Sequence, residues 1–219
     1  MLKPKQVENR LLDKQRSILA IAGLGHDNMS ARDVNLIFSK RITGKIVDLK
    51  TGEFTAKNPA LSEKLSSDQD IAIIKRRERY TTIYLVKKAG HVDTVVLPIR
   101  GYGLWSTLYG FIALKNDLNT VVGLGFYQQG ETPGLGGEVD NPKWKKQWSG
   151  KMVFSNDQKV ILSVIKGHVN PKSPEAIHQV DGLSGATLTS KGVNNLVHFW
   201  LGENGFGPFI TKFHKEGGV

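Results

Sequence analysis

A run of small and hydroxyl-bearing residues, residues 181–190 (DGLSGATLTS), lies directly before a predicted helix. Apolar residues recur over residues 193–200 at the three-and-four spacing of a buried helical stripe. The serines and threonines ahead of this stripe are predicted N-caps, whose oxygens accept the amide hydrogens of the first turn. A helix N-terminus attracts anions, and Gly185 and Ala186 leave room for a phosphate to approach the backbone. The run therefore predicts an anion site beside Thr187, although a capped helix after a glycine turn would produce a similar string.

Two glycine-rich segments earlier in the chain could contact a flat heterocycle. The first, residues 101–106 (GYGLWS), follows a predicted strand and offers a Leu-Trp pair as apolar surface, although a tight turn with a core tryptophan fits it equally well. The second, residues 131–138 (ETPGLGGE), combines a Pro-Gly turn with glycines whose amides could bond the carbonyl oxygens of a planar ring. A glycine-rich loop of this kind is, by itself, more often a plain turn.

The string from Asp181 to Thr187 resembles the flavinylation motif of proteins that carry FMN through a phosphoester bond to a threonine. Together with residues 188–190 and the closing residues 199–202 (FWLG), it makes the chain similar to the C subunits of sodium-translocating NADH:quinone oxidoreductases. These are respiratory complexes of bacterial inner membranes, and the resemblance covers nearly all of residues 3–214. It implies that Thr187 is the covalent attachment site of FMN.

The resemblance also implies which other residues bind the cofactor. The two glycine-rich segments match the loops of the family that lie at the flavin, and one lysine corresponds to a family lysine near the cofactor. No metal ligand and no catalytic residue are implied. The implied FMN-binding residues besides the attachment site are Gly103, Leu104, Trp105, Ser106, Glu131, Thr132, Pro133, Gly134, Leu135, Gly136, Lys166, Ser184, Gly185, Ala186, Leu188 and Thr189.

The function implied by the resemblance is electron transfer. In the family, electrons from NADH enter at another subunit, pass through this flavin and continue to quinone while sodium is pumped. The partners implied are the other subunits of a membrane-bound redox complex and a magnesium-dependent flavin transferase that donates FMN from FAD. The resemblance further implies a bacterial inner-membrane location, with a domain facing the periplasm and a membrane-spanning helix preceding Lys3.

Two alternatives stay open at this stage. The G subunit of the related electron-transport complex that couples ferredoxin and NAD shares the acceptor motif and the Thr-Pro-Gly-Leu-Gly loop. The length of chain before Gly101 and the ending at residues 205–209 (GFGPF) favour the quinone reductase. The second alternative is a non-redox scaffold or assembly module with a vestigial pocket, which the intact Thr187 and both loops argue against. A yellow purified protein would distinguish a flavoprotein from a scaffold.

Composition excludes several other chemistries. The chain has no cysteine, which excludes disulfides, iron–sulfur clusters and cysteine zinc sites, so an organic cofactor must carry any electrons. The 30 basic and 20 acidic residues give a net charge of +10, which suits nucleic acid, anionic lipid or an acidic partner. Residues 75–79 (KRRER) are the densest basic run, but no nucleic-acid-binding motif accompanies them, so nucleic acid is not a predicted partner. A hydrolase centred on Ser184 is disfavoured because the nucleophile-elbow motif is absent.

The elements that must position these segments are predicted from apolar periodicity and turn residues. They indicate an α+β fold with an antiparallel β-sheet core flanked by helices, of the FMN-binding domain type. We expect residues 1–79 to form a helical and mixed segment and residues 80–219 to form the FMN-binding domain. The predicted helices span residues 11–22, 31–39 (capped by Ser30) and 143–148; the predicted strands span residues 41–49, 80–86, 93–99, 110–114, 120–126 and 159–166; residues 58–70 are predicted as loop or short helix, and residues 206–210 fold back onto the body.

Overall fold

A computed structural model describes residues 2–25, 28–57 and 61–216 of the chain. Five α-helices and ten strands form within these residues, together with 3₁₀ helices at Gly136–Asp140 and Pro174–His178. The helices are α1 Leu2–Ile21, α2 Ala31–Arg41, α3 Pro142–Lys146, α4 Thr187–Leu201 and α5 Gly207–Glu216. The strands are β1 Ile42–Asp48, β2 Phe54–Thr55, β3 Ser62–Lys64, β4 Arg76–Glu78, β5 Tyr80–Lys88, β6 His91–Tyr102, β7 Thr107–Lys115, β8 Val121–Gln128, β9 Ser163–Val164 and β10 Gln179–Val180.

Six strands form the main sheet, in the order β2-β1-β5-β6-β7-β8, and every neighbouring pair is antiparallel. Strands β5 to β8 are rich in β-branched and aromatic residues and follow one another as hairpins, as the turn residues between them predicted. This confirms the predicted α+β fold with an antiparallel sheet flanked by helices. Because β1 pairs with both β2 and β5, chain from before residue 80 contributes to the same sheet; the domain boundary at residue 80 stays a prediction.

Successive side chains of each strand point to opposite faces of the sheet, and both faces are apolar here. On β7, for example, Phe111 and Ala113 face the cluster formed with α1 and α2, whereas Ile112 faces the larger core beneath α3, α4 and α5. The larger core holds fully buried residues such as Trp148 and Phe206. The helices therefore cover both faces, and the elements that carry the candidate site all lie on the α4 side.

Helix α4 packs very closely on the end of β6, and two glycines allow this approach. A Cβ atom added to Gly101 would lie 2.5 Å from the Cβ of Leu196 on α4. A Cβ atom added to Gly192 on α4 would overlap the carbonyl oxygen of Tyr102 and lie 2.9 Å from the Cα of Gly103. The N-terminal half of α4 is thereby held against the turn that follows β6.

Several predicted elements are confirmed, whereas the start of the first helix, the strand over residues 159–166 and the loop or helix over residues 58–70 are corrected. Ser30 caps α2, accepting a hydrogen bond from the amide of Asp33, and the chain after Phe206 folds back as α5 with its aromatic residues buried. The first helix begins at Leu2, nine residues before its predicted start. Among the described residues, no helix is both long and apolar enough to cross a bilayer.

The predicted strand over residues 159–166 is wrong for most of its length. Only Ser163–Val164 forms β9, which pairs in parallel with β10. The amides of Ile161 and Leu162 both donate to the carbonyl of Val153, and the amide of Val164 donates to the side chain of Asn194 on α4. The polar stretch predicted as loop or helix over residues 58–70 contains strand β3, which pairs with β4 inside the basic run; residues 58–60 of that stretch lie outside the described residues.

Candidate functional site

A buried carboxylate joins three segments of the chain that are far apart in sequence. Glu131 is only 5% exposed. Its Oε1 accepts hydrogen bonds from the amides of Trp105 and Ser106, each at 3.0 Å, and its Oε2 accepts one from the amide of Leu104 at 3.1 Å. Thr189 Oγ1 donates to Oε2 at 2.7 Å. The turn after β6, the loop after β8 and the first turn of α4 are therefore held together by one side chain.

The hydrogen bonds keep this carboxylate ionised. Burial raises the pKa of Glu131, but the hydrogen bonds from Thr189 and from the amides of Trp105, Leu104 and Ser106 outweigh burial and hold the pKa below its ordinary value. An ionised carboxylate can only accept hydrogen bonds, and all the neighbours it contacts are donors. The charge and the surrounding donors therefore match.

Two glycines of the predicted site are required by the space around this carboxylate. A Cβ atom on Gly103 would lie 2.7 Å from Glu131 Oε1. A Cβ atom on Gly136 would lie 2.5 Å from Thr189 Oγ1 and 2.8 Å from Glu131 Oε2. Neither glycine has a positive φ, whereas Gly134 does, at 76°. Gly103 and Gly136 thus make room for the carboxylate, while Gly134 provides the turn conformation of the loop.

The predicted side-chain cap of α4 is wrong. The N-cap residue is Ala186, which has no side chain to accept a hydrogen bond. The hydroxyl of Ser190 instead accepts from the amide of Leu183 and donates to the carbonyl of Ala186, and the hydroxyl of Thr189 is used by Glu131. Helix α4 begins at Thr187, so Thr189 and Ser190 lie inside its first turn, and neither side chain accepts a hydrogen bond from an amide of that turn.

As a consequence, the first turn of α4 offers unpaired donors. Within the described part of the chain, no group accepts a hydrogen bond from the amides of Thr187, Leu188 or Thr189. The Thr187 side chain is exposed beside them, as is Ser184. Unpaired amides at the start of a 15-residue helix favour an anion at this position.

Large apolar side chains are exposed on the same segments. Trp105 is 66% exposed, Leu188 is 57% exposed and Leu135 is 44% exposed. Gly185 has a φ of 70°, and a Cβ atom there would lie 3.0 Å from Cδ2 of Leu135, so the loop after β8 lies against the segment that precedes α4. The exposure of Trp105 excludes the alternative of a tight turn with a core tryptophan. These side chains offer an apolar surface that a planar ring could cover.

A cleft of about 350 Å³ is lined in part by Thr187. Lys166 and Lys191 both line it, and both are exposed. Gly182 allows the chain just after β9 to lie close to it, because a Cβ atom on Gly182 would lie 2.5 Å from the carbonyl oxygen of Ile165. Lys191 was missed from the sequence, although its position one helical turn after Thr187 could have identified it.

The remaining predicted residues lie in the loop after β8. Thr132 and Pro133 are exposed, and the carbonyl of Thr132 accepts hydrogen bonds from the amides of Leu135 and Gly137, at 3.1 and 2.9 Å. Of the glycine amides that were predicted to face a heterocycle, that of Gly137 is therefore used within the loop itself. The described residues contain no cluster of side chains that could hold a metal ion.

The class of protein that this fold and site define is that of FMN-binding domains. The family model for the FMN-binding domain matches residues 103–202, a region that begins in the turn after β6 and ends after α4. All three segments joined by Glu131 lie within it.

Comparison over the whole chain is more specific. The chain is 61% identical to the C subunit of the Na(+)-translocating NADH-quinone reductase of Pseudomonas aeruginosa, over 98% of this chain and 87% of the relative, and 48% identical to that of Yersinia pestis, over 100% and 85%. The crystal structure of Shewanella oneidensis NqrC matches with a TM-score of 0.83 at 31% identity, covering 95% of this chain and 99% of the other. The structure of the corresponding protein from Parabacteroides distasonis matches with a TM-score of 0.73 at 27% identity, over 96% and 98%. The chain belongs to the family of C subunits of Na(+)-translocating NADH-quinone reductases, as its resemblance predicted.

Proposed function

We propose that this chain carries FMN through a phosphoester bond to Thr187 and relays electrons between other redox subunits of a bacterial, sodium-pumping NADH:quinone reductase. The relatives are named as subunits of that enzyme, and the matched domain is described as FMN-binding. The observation that carries the proposal is the network around Glu131, because it gathers an exposed threonine, unpaired helix amides and exposed apolar side chains at one place.

The first turn of α4 fits the phosphate of FMN. The amides of Leu188 and Thr189 are donors without a protein acceptor among the described residues, and the hydroxyl of Thr187 is exposed next to them. Gly185 and Ala186 add no bulk in front of this turn. An anion at this position also interacts favourably with the helix dipole, by about 0.3–1 kcal/mol at an exposed site.

The exposed apolar side chains fit the isoalloxazine ring. Trp105, Leu135 and Leu188 would each lose water-exposed apolar surface on contact with it. Bound FMN supplies one- and two-electron transfer, which the side chains of this cysteine-free chain do not offer. Because the three apolar residues lie at the surface, a ring held against them stays accessible to partner subunits.

The exposed position of Thr187 also suits attachment of FMN by a second protein. A flavin transferase that uses FAD and magnesium would form the bond between Thr187 Oγ1 and the FMN phosphorus, break the phosphoanhydride bond of FAD and release AMP. The hydroxyl is exposed, so a second protein can reach it. We further propose that the mature domain faces the periplasm at the bacterial inner membrane.

The test is the intact mass of the protein after co-expression with a flavin transferase. We expect the wild type to gain the mass of one FMN less one water, and to keep its fluorescent flavin in a denaturing gel. Thr187→Ala should gain nothing, whereas Thr211→Ala, which removes a helical threonine on α5, should be flavinylated like the wild type. A wild type that stays at its polypeptide mass would refute the proposal and favour the scaffold alternative.

A further inference from the structure

The carboxylate of Glu131 has an arrangement that a direct cofactor ligand would not need. It is directed into the protein, where its oxygens accept from three consecutive amides of the turn after β6 and from the hydroxyl of Thr189. Ser106 Oγ donates to Oε1 as well, at 3.2 Å. With its acceptor positions occupied and 5% of its surface exposed, Glu131 has little capacity left to bind a ligand.

The contacts of Glu131 leave the phosphate-binding amides unpaired. Glu131 binds α4 through the side-chain hydroxyl of Thr189 and takes none of the backbone amides of the first turn. On the opposite side it binds the turn after β6 only through that turn's amides and the hydroxyl of Ser106. One side chain thus joins the two segments while the first turn of α4 keeps its donors for an anion.

The base of the turn after β6 packs against α4, where Gly103 lies next to Gly192, but the amides of residues 104–106 at its tip are bonded by Glu131. Within the turn, the amide of Gly103 donates to the carbonyl of Ser106 at 2.8 Å, and Tyr102 Oη donates to the carbonyl of Trp105 at 3.3 Å. These bonds close the turn but do not link it to α4. The Trp105 side chain is 66% exposed, so packing does not hold it either.

We propose that Glu131 is a positioning residue for the flavin: its carboxylate connects the turn that carries Trp105 to the helix turn that carries Thr187, and so holds the ring-contacting and phosphate-bearing parts of the site in one arrangement. This inference rests on the proposed attachment of FMN to Thr187. It assigns Glu131 a role through other residues and not a contact with the cofactor.

The two substitutions Glu131→Ala and Glu131→Gln separate the effect of losing the hydrogen-bonded connection from the effect of losing the negative charge. Alanine removes every acceptor and leaves the three turn amides without a partner. Glutamine keeps a carbonyl oxygen for those amides, and its NH₂ group can donate to Thr189 Oγ1, because a hydroxyl can accept as well as donate. Glutamine should therefore preserve the connection, with weaker hydrogen bonds because the charge is lost.

The first measurement is amide hydrogen exchange on the protein without flavin. We expect exchange at Leu104, Trp105 and Ser106 to accelerate by about tenfold or more in Glu131→Ala and to stay within about threefold of the wild type in Glu131→Gln. Asp48→Asn is the matched control, since Asp48 is also a buried, hydrogen-bonded carboxylate, 7% exposed, but lies on β1. It should leave exchange at these three amides unchanged.

The second measurement is flavin fluorescence per bound FMN after co-expression with the transferase. Tryptophan in contact with a flavin ring quenches its emission by electron transfer. We therefore expect a severalfold rise in Glu131→Ala, because a mobile Trp105 no longer stays in contact with the ring, and recovery toward the wild-type value in Glu131→Gln. The emission is read on the folded fraction, because a flavin attached to an unfolded chain would also lose its contact with Trp105. If Glu131→Ala does not fold, Thr189→Val takes its place, since it cuts the same connection at the α4 end with a side chain of similar shape.

Distinct outcomes refute the two proposals. A flavinylated Glu131→Ala or Thr189→Val protein with wild-type fluorescence and wild-type exchange overturns the positioning role and leaves the attachment site intact. Fluorescence that rises equally in Glu131→Gln and Glu131→Ala overturns it too, since the connection would then not be the cause. A wild type that never acquires FMN overturns both.

Discussion

Replacing Gly136 by alanine should destabilise the protein through the Glu131 network. The added Cβ would lie 2.5 Å from Thr189 Oγ1 and 2.8 Å from Glu131 Oε2, well inside the 3.4 Å at which ordinary van der Waals contact begins. The backbone conformation of Gly136 suits any residue, so strain in φ does not contribute. The clash therefore falls directly on the hydrogen bond between the two side chains.

The size of the effect follows from three contributions. Overpacking a close-packed site costs about 1–3 kcal/mol, and weakening a hydrogen bond to a charged group costs about 1.5–3 kcal/mol. Alanine offsets about 0.4–1 kcal/mol of this by restricting the unfolded chain. We expect the free energy of unfolding to fall by about 2–4 kcal/mol in total, which lowers the melting temperature of a protein of this size by about 5–15 °C.

The assay is urea and thermal unfolding of the purified variants. Gly134→Ala in the same loop is the matched control, because a Cβ there meets nothing within 4 Å while the φ of 76° makes alanine strained. It should cost about 1–2 kcal/mol of backbone strain, less the same unfolded-state offset. The steric argument would be refuted if Gly136→Ala unfolded at the wild-type urea midpoint, or at a higher urea concentration than Gly134→Ala. In the double variant Gly136→Ala/Thr189→Ala, the loss in free energy of unfolding should be smaller than the sum of the two single losses, by about 1 kcal/mol.

Three further predictions concern a core side chain, an exposed side chain and the dependence of stability on pH. Leu196→Ala removes a fully buried side chain of α4 and should lower the free energy of unfolding by about 2–5 kcal/mol in a urea titration. Trp105→Ala, at a side chain that is 66% exposed, should change that free energy by less than about 0.5 kcal/mol while altering the flavin emission spectrum; a large loss of stability would show that the tryptophan is packed. Burial raises the pKa of Asp48 and of Glu131, but hydrogen bonds lower both below their ordinary values, so both stabilise the fold above pH ~4 and this stability is lost as the pH falls through the lowered pKa values. Urea midpoints measured between pH ~2 and ~7 should therefore drop less steeply in acid for Asp48→Asn and Glu131→Gln than for the wild type, and equal slopes would contradict this.

The strands of the main sheet could be predicted because their signal is local. Runs of β-branched and aromatic residues with turn residues between them located β5 to β8 within a few residues of their observed ends. The same reasoning failed at residues 159–166, where an equally β-rich run forms a strand of two residues. Whether such a run becomes a strand depends on the partners of its backbone. Here the amides of Ile161 and Leu162 both donate to the carbonyl of Val153, and that of Val164 donates to Asn194, 30 positions away.

The predicted capping of α4 failed because of where the helix begins. Helix α4 starts at Thr187, so the N-cap position falls on Ala186, and Thr189 and Ser190 lie within the first turn. There Thr189 donates to the carboxylate of Glu131 at 2.7 Å, and Ser190 bridges Leu183 and Ala186. The N-cap residue is therefore set by the start of the packed helix, and not by the supply of hydroxyl groups near it.

The sequence by itself determined the α+β fold class and the family, and it predicts the threonine that accepts FMN, because each depends on residue types at short, regular spacing. The tertiary structure alone decided that Trp105 is exposed, that the first turn of α4 keeps its amides unpaired and that Glu131 faces inward. Glu131 lies 25 to 27 positions from the turn it binds and 58 from Thr189. Contacts across such separations exist only after the sheet and α4 have packed, so no local pattern could have revealed them.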